Sequence, residues 1–430
     1  MKKILFFFFC ALLLLSGTAC KKQNLQNTNQ TPLPEETNLD KGDEPVCEII
    51  NYRNIKAMWL SQFDLQNIYT NLGKQRAEND FKTKISTILD NVKENGFNTV
   101  FLQVRPYADS FYPSSYYPPS KYVTGSYSNS FSYDPIKIII DEAHKRGLSI
   151  HAWINPLRAM NADEIKEIDE SFIIKKWYKD NNGTFLVLFN GRYYLNPAYS
   201  ETRQLIIDGV KEIIDNYSFD GVHMDDYFYP TTSEEFDSLA FTEYKTEGGT
   251  LSLKKYRYSN LNKLISGIYS TVKEKNNALL YGISPEGNIS NATDKAYADV
   301  YTWCSEKGYI DYICPQIYFG LKHQTYPFDK TVENWGKTIK NPDIKLIIGM
   351  TFGKALSKTD KWAGSGKDEW NTDKDIMKRC LEYTKENNKC TGVSVFSYQY
   401  YFDPLTNVEI SETKSERDSF TLALKEIQWK

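Results

Sequence analysis

The chain has 430 residues and a formal net charge of −3, with 52 Lys and Arg set against 55 Asp and Glu. That balance gives no electrostatic reason to expect nucleic acid as a partner, and the length suits a barrel with long loops. Tyrosine is abundant: 31 Tyr and 8 Trp supply amphipathic rings that serve for packing and equally for a wet, sugar-stacking surface.

The N-terminus reads as an export signal: Met1-Lys-Lys, an apolar run over 4–15, then Ser16-Gly-Thr-Ala-Cys20. Small residues before a cysteine resemble a bacterial lipobox, although Gly17 stands where such motifs usually carry Leu. The expectation is a signal peptide over 1–20, a diacylglyceryl group on Cys20, and an exported protein anchored to a membrane through that lipid; a cleaved signal without lipid is the alternative. Residues 21–50 turn to Gln, Asn, Thr, Pro and Glu, a disordered polar linker with too little apolar surface to fold. No later apolar run approaches the roughly 20 residues a span needs. Besides Cys10 and Cys20, the chain carries Cys47, Cys304, Cys314, Cys380 and Cys390. Their odd number and the absence of CxxC spacing indicate neither a zinc site nor a disulfide framework. Buried free thiols are the favoured reading, with an isolated Cys380–Cys390 bridge as the alternative.

Residues 51–430 form one domain in which short apolar strands alternate with amphipathic helices. Strands are predicted at 56–63, 99–104, 149–156, 221–227, 280–287, 310–318, 345–352 and 392–398. Helices follow at 82–95, 134–146, 201–217, 254–276, 295–307, 329–340, 373–387 and 414–426. Gly96 and Gly147 stand where helix-ending glycines belong. Eight consecutive βα units predict an α/β fold, a (β/α)8 TIM barrel with long βα loops. No Gly-rich phosphate fingerprint follows the first strand, so no nucleotide cofactor is implied, and no cofactor of any kind is expected. The long loops at 105–133, 157–200 and 230–253 are rich in Tyr, Asn, Ser and Gly and read as substrate walls at the C-terminal mouth.

Strand parity sharpens the mouth. The polar parity gives Gln103 and Arg105; His151, Trp153 and Asn155; His223, Asp225 and Tyr227; Ser284 and Glu286; Gln316 and Tyr318; and Ser394, Phe396 and Tyr398. The opposite parity is almost wholly apolar, as an outward face against helices requires. The richest segment is Tyr217-Ser-Phe-Asp-Gly-Val-His-Met-Asp-Asp-Tyr-Phe-Tyr-Pro230, greasy at its start and acidic and aromatic at its end. Glycoside hydrolysis ordinarily takes two carboxyls, one protonated and one ionised. Asp225, on the inward parity, is the candidate nucleophile or oxocarbenium stabiliser, oriented by His223. Glu286 and Asp226 are the candidate acids. Alternating side chains would send Asp225 and Asp226 to opposite faces unless the strand ends between them. A capping role is the bland alternative for both aspartates. Arg105, with Asp109 four residues on, reads as a structural ion pair or a clamp on substrate. Gln103, Arg105, Asp109, Trp153, Asn155, Arg158, His223, Tyr227, Gln316, Tyr318 and Tyr398 make up the candidate substrate-binding set.

Several motifs together resemble the bacterial glycosyl-hydrolase-like family 10. They are Phe101-Leu-Gln-Val-Arg-Pro-Tyr-Ala-Asp-Ser-Phe-Tyr112, His144, His151-Ala-Trp-Ile-Asn-Pro-Leu-Arg158, Tyr194-Leu-Asn-Pro197, the 219–230 segment, Tyr281-Gly-Ile-Ser-Pro285 and Asp311-Tyr-Ile-Cys-Pro-Gln-Ile-Tyr318. The resemblance covers roughly residues 55–403. It implies a TIM barrel acting on polysaccharide, with peptidoglycan or related cell-wall glycan strands the favoured partner, in a protein that is often secreted or lipid-anchored. Glu286 is a departure, since members often carry an apolar or small residue after Ser-Pro. A weaker echo is the chitinase pattern Asp-Gly-x-Asp-x-Asp-x-Glu: aligned from Asp220, it puts Tyr227 where the chitinase acid stands, so that mechanism does not carry over. Two other readings compete. One is a metal-dependent deacetylase using His151, His223, Asp225 and Asp226, although HxH and HExxH spacings are absent and no metal is expected. The other is a non-catalytic glycan-binding lipoprotein.

Overall fold

The computed structural model describes residues 48–430 apart from Asn181. The expected signal 1–20, the lipid site Cys20, Cys47 and the linker 21–50 up to residue 47 lie outside the described residues.

Eight parallel strands close a barrel: β1 Ile55–Leu60, β2 Thr99–Arg105, β3 Ser149–Ile154, β4 Gly221–Met224, β5 Leu280–Ile283, β6 Tyr312–Ile313, β7 Lys345–Thr351 and β8 Cys390–Phe396. Closure is made by β1, which pairs with β2 on one side and β8 on the other. The helices α1 Glu78–Glu94, α2 Pro135–Lys145, α3 Ser200–Asn216, α4 Leu253–Lys275, α5 Phe328–Thr338, α6 Ile376–Glu386 and α7 Lys414–Glu426 alternate with the strands. All eight expected strands are present. Local chemistry sets the helix ends: Asp134 caps α2 by accepting from the Ile136 and Lys137 amides, with Pro135 at the first helical position. Gly96 and Gly147, after α1 and α2, adopt φ of +87° and +61°, the left-handed geometry a side chain resists.

Several boundaries differ from the expectation. The predicted 295–307 helix is replaced by two short turns, Ile289–Asp294 and Val300–Trp303, separated by Tyr297 at φ +57°. β6 shrinks to two residues because Pro315 has no amide to donate to a ladder. β4 stops at Met224, before the aspartates. The 157–200 loop builds its own antiparallel sheet, Arg158–Asn161, Leu186–Phe189 and Arg192–Leu195. Among the described residues no helix is long and apolar enough to cross a membrane. Cys304, Cys314, Cys380 and Cys390 are buried free thiols, so the alternative Cys380–Cys390 bridge is absent.

Two cores result. Apolar residues of one parity pack between strands and helices, while the other parity fills the barrel with Trp59, Phe101, Trp153, Tyr312, Cys314 and Ile347. Inside, Trp59 Nε1 donates to Ser394 Oγ at 3.0 Å and the Tyr312 hydroxyl bonds Nδ1 of both His151 (2.9 Å) and His223 (2.8 Å), while His223 Nε2 is buried without a hydrogen-bond partner. Asp220, ahead of β4, staples the opposite end of the barrel. Its carboxylate accepts from the Ile50 and Ile150 amides, each at 2.7 Å, and lies 3.0 Å from His144 Nε2. That accounts structurally for two motif residues, Asp220 and His144.

Candidate active site

At the C-terminal ends of the strands lies a cavity of about 200 Å³, lined by Gln103, Trp153, Arg158, Asp225, Asp226, Tyr227, Gln316 and Tyr318, all expected, and by Trp59, Gln62, Phe63, Tyr107 and Phe396. Because β4 ends at Met224, alternation no longer governs residues 225 and 226, and both carboxylates reach the same cavity.

Asp225 is held from behind. Its Oδ2 accepts from Trp153 Nε1 at 3.1 Å and from Asn155 Nδ2, and its Oδ1 from the Tyr227 amide at 3.2 Å. A relay fixes these amides. The Gln62 amide donates to Gln103 Oε1 (2.8 Å), which leaves Gln103 Nε2 to donate to Asn155 Oδ1 (2.7 Å) and Asn155 Nδ2 to face Asp225. With Oδ2 accepting twice, any proton on Asp225 sits on Oδ1.

Burial raises both carboxyls. Asp225 stands well above the usual carboxylate range through desolvation and the neighbouring Asp226 charge. Asp226 is pushed up to about 6, by desolvation first, against a hydrogen bond from Gln316 that favours its anion. Arg158 supplies the compensating charge to both. Its guanidinium lies 4.0 Å over Tyr227 and 4.8 Å over Tyr107, and it is carried by the small loop sheet, where it pairs with Tyr194.

Other expected residues lie elsewhere. His223 is in the barrel core, bonded to Tyr312 and stacked 4.1 Å from Phe101, so Trp153 and Asn155 orient Asp225 instead. Burial drives both His223 and His151 down, the latter to about 4, and among the described residues no three His, Cys, Asp or Glu converge as the deacetylase reading needs. Glu286 does not line the cavity; Asn291 Nδ2 donates to its Oε1 at 2.5 Å. Arg105 leaves the mouth because the β2–β3 register slips between Gln103 and Arg105, turning it outward onto the Tyr117 ring at 4.5 Å. There Gly209 of α3 makes room, since an added Cβ would fall 2.6 Å from Arg105 Nη1. Asp109 is buried in the loop, accepts from the Tyr107 amide at 2.9 Å, is raised to about 6 by desolvation, and forms no ion pair with Arg105. Tyr398 follows the end of β8 and accepts from Asn91 Nδ2 of α1 at 2.7 Å, facing away from the mouth.

The lining residues that sequence reasoning missed are Trp59, Gln62, Phe63 and Tyr107. Parity on the first strand would have found Trp59; Gln62 and Phe63 open the helix Gln62–Tyr69 and Tyr107 lies in the loop after β2, where strand parity says nothing.

Residues 54–386 match the family profile described as Glycosyl hydrolase-like 10. The chain belongs to this family. The glycosyl hydrolase-like 10 match ends before β8, the strand that closes the barrel. Among curated relatives, the chain is 33% identical over 326 residues to glycosyl hydrolase YngK of Bacillus subtilis, covering 72% of this chain and 62% of that protein. The chain thus spans less than two thirds of YngK. It is 29% identical over 355 residues to glycosyl hydrolase DigH of Escherichia coli, covering 76% of this chain and 78% of DigH. Among solved structures, the fold is similar to the PgaB (BpsB) glycoside hydrolase domain of Bordetella bronchiseptica (TM-score 0.55, 12% identity, 86% of this chain and 99% of that one). It is also similar to the β-amylase catalytic domain of Paenibacillus polymyxa (TM-score 0.54, 10% identity, 86% and 98%). At these identities the structural likeness speaks for the TIM-barrel fold.

Proposed function

We propose that this protein hydrolyses O-glycosyl bonds of a bacterial cell-wall or related polysaccharide with Asp225 and Asp226 as its two working carboxyls. The observation that carries the reading is that both line one aromatic cavity and both are held above the usual carboxylate range. Like charges confined together share one proton at neutral pH. Three donors, Trp153 Nε1, Asn155 Nδ2 and the Tyr227 amide, favour the anion on Asp225. Desolvation and the Asp226 charge raise Asp225, and the second cause vanishes once the shared proton sits on Asp226. In that state Asp225 is the nucleophile or oxocarbenium stabiliser, and Asp226, partly buried and raised to about 6, is the proton donor to the leaving oxygen. Glu286, committed to Asn291, influences Asp226 only through its charge. Tyr227, Tyr318 and Phe63 offer faces to sugar rings, and Arg158 and Gln316 offer donors to hydroxyls or acidic substituents. The relatives named as glycosyl hydrolases support the same class. The N-terminal pattern ending at Cys20 supports export and a lipid anchor, which would hold the enzyme at a membrane facing its polymer.

The test is reducing-end release from a panel of purified glycans, peptidoglycan strands and chito-oligosaccharides included, by wild type and Asp225→Asn, with and without chelator. Release by wild type alone, unaffected by chelator, is the expected result. Binding without release would establish a non-catalytic barrel, and release of acetate abolished by chelator would establish a deacetylase.

A further inference from the structure

A second cavity, of about 330 Å³, opens beside the first; Phe319, His323, Lys354, Asp360, Trp362 and Tyr400 line it, and Tyr318 and Phe396 line both. Those two shared rings stack, with centroids 6.3 Å apart at 29°, and form a common wall. The new lining comes from the loops after β6, β7 and β8, so it lies on the same mouth of the barrel as the carboxyl pair.

Trp362 is the conspicuous member. It is 75% exposed, an indole left in water where ordinary packing would cover it. Its backbone is nevertheless fixed: the buried Asp360 accepts from the Trp362 amide at 3.1 Å and from Lys354 Nζ at 2.9 Å. The ring is thus presented by a fixed turn; Lys354 is neutralised by Asp360, and Lys361 Nζ lies 5.3 Å over the indole. His323 adds a directional donor. Its Nδ1 accepts from the Thr325 and Tyr326 amides at 3.3 and 3.0 Å, and burial lowers its pKa, so the neutral ring carries its proton on Nε2. Aromatic faces interleaved with neutral donors and a compensated ion pair match a sugar ring, whose C–H faces stack while its hydroxyls hydrogen-bond.

We propose that this cavity is a further sugar subsite, contiguous with the carboxyl cavity across the Tyr318–Phe396 wall, so that the protein engages a run of consecutive sugars in a glycan chain rather than a mono- or disaccharide. The proposal rests on the glycoside hydrolase reading of the first cavity and adds to it the length of substrate held.

The probes are β-1,4-linked N-acetylglucosamine oligomers of two to six units, titrated calorimetrically into Asp225→Asn and into Asp225→Asn carrying Trp362→Ala. Asp226→Asn serves as a second silenced background. The hexamer is expected to bind at least about ten-fold more tightly than the dimer, and Trp362→Ala to remove about ten-fold of that gain. Because the indole is exposed, thermal melting of the variant should match its parent. Affinity independent of length, or hexamer binding indifferent to Trp362→Ala, overturns the subsite even if wild type hydrolyses glycans. If no oligomer binds and no glycan in the panel is cleaved, the hydrolase reading fails and the subsite falls with it.

Discussion

Asp226→Asn should weaken activity and strengthen the fold, and both effects follow from one buried charge. The Asp226 carboxyl is raised from the ordinary 3.8 to about 6. Its folded value therefore exceeds its unfolded one, and the folded chain binds more protons between them. The stability associated with the neutral carboxyl is complete below about pH 3.8 and is lost as pH climbs through 6. At about 1.4 kcal/mol per pH unit, and allowing for solvent reaching a partly buried group, ionised Asp226 costs the folded state about 2–3 kcal/mol at pH 8. Asparagine fills the same volume, still accepts from Gln316, and carries no charge to desolvate. It also removes the negative charge that helps raise Asp225. For a barrel of this size, an unfolding entropy of roughly 0.8 kcal/mol/K converts the relief into a midpoint rise of about 3 °C. Scanning fluorimetry of wild type and variant at pH 4 and pH 8 measures it: the gain should be present at pH 8 and nearly absent at pH 4. Turnover should fall about 10²–10⁴-fold with loss of the proton donor. An equal gain at both pH values, or no gain at pH 8, would refute the claim that Asp226 is a desolvated, functionally retained carboxyl.

Asp225→Asn should keep the fold and lose several orders of magnitude in rate, whereas Glu286→Gln should stay within a few-fold of wild type; a hundred-fold loss in the latter would return Glu286 to the role of acid. Trp153 is only 4% exposed, lies edge-on 4.6 Å from Trp59 and donates to Asp225, so Trp153→Ala should cost about 3–5 kcal/mol of stability in denaturant melts. Trp153→Phe should restore most of that packing while leaving turnover depressed, because the indole N–H is gone; full activity in that variant would remove Trp153 from the positioning network. Cys20→Ala should abolish acylation of the mature N-terminus and release the protein from membranes, as mass spectrometry and fractionation would report; identical partitioning of the two forms would sink the lipid anchor.

Much of the fold was legible because its signals are local and repeated. Eight apolar strands, capped helices such as the one opening at Asp134, and left-handed glycines at 96 and 147 each need only nearby residues to be read. Strand parity likewise identified Gln103 and Trp153 as inward-facing, since alternation is a property of a single strand, whereas Asp225 and Gln316 reach the cavity from just past the ends of β4 and β6. Parity failed where strands ended or slipped. Arg105 turned outward at a register shift with β3, Tyr398 lay past the end of β8, and Asp226 turned in because β4 had already stopped.

The sequence by itself determined the barrel, its strand order and the segment that brings two carboxyls to the mouth, because periodicity and turn chemistry are written in consecutive residues. Only the tertiary structure decided which side chains share the cavity. It assigned His223 to Tyr312 and Asp225 to Trp153 and Asn155, tied Glu286 to Asn291, and brought in Gln62 and Phe63 from the start of the helix Gln62–Tyr69 and Tyr107 from the loop after β2. Those choices depend on where each strand terminates against its neighbours and on which distant donor reaches a buried acceptor first, and such long-range competition for hydrogen bonds leaves no pattern in the order of residues along the chain.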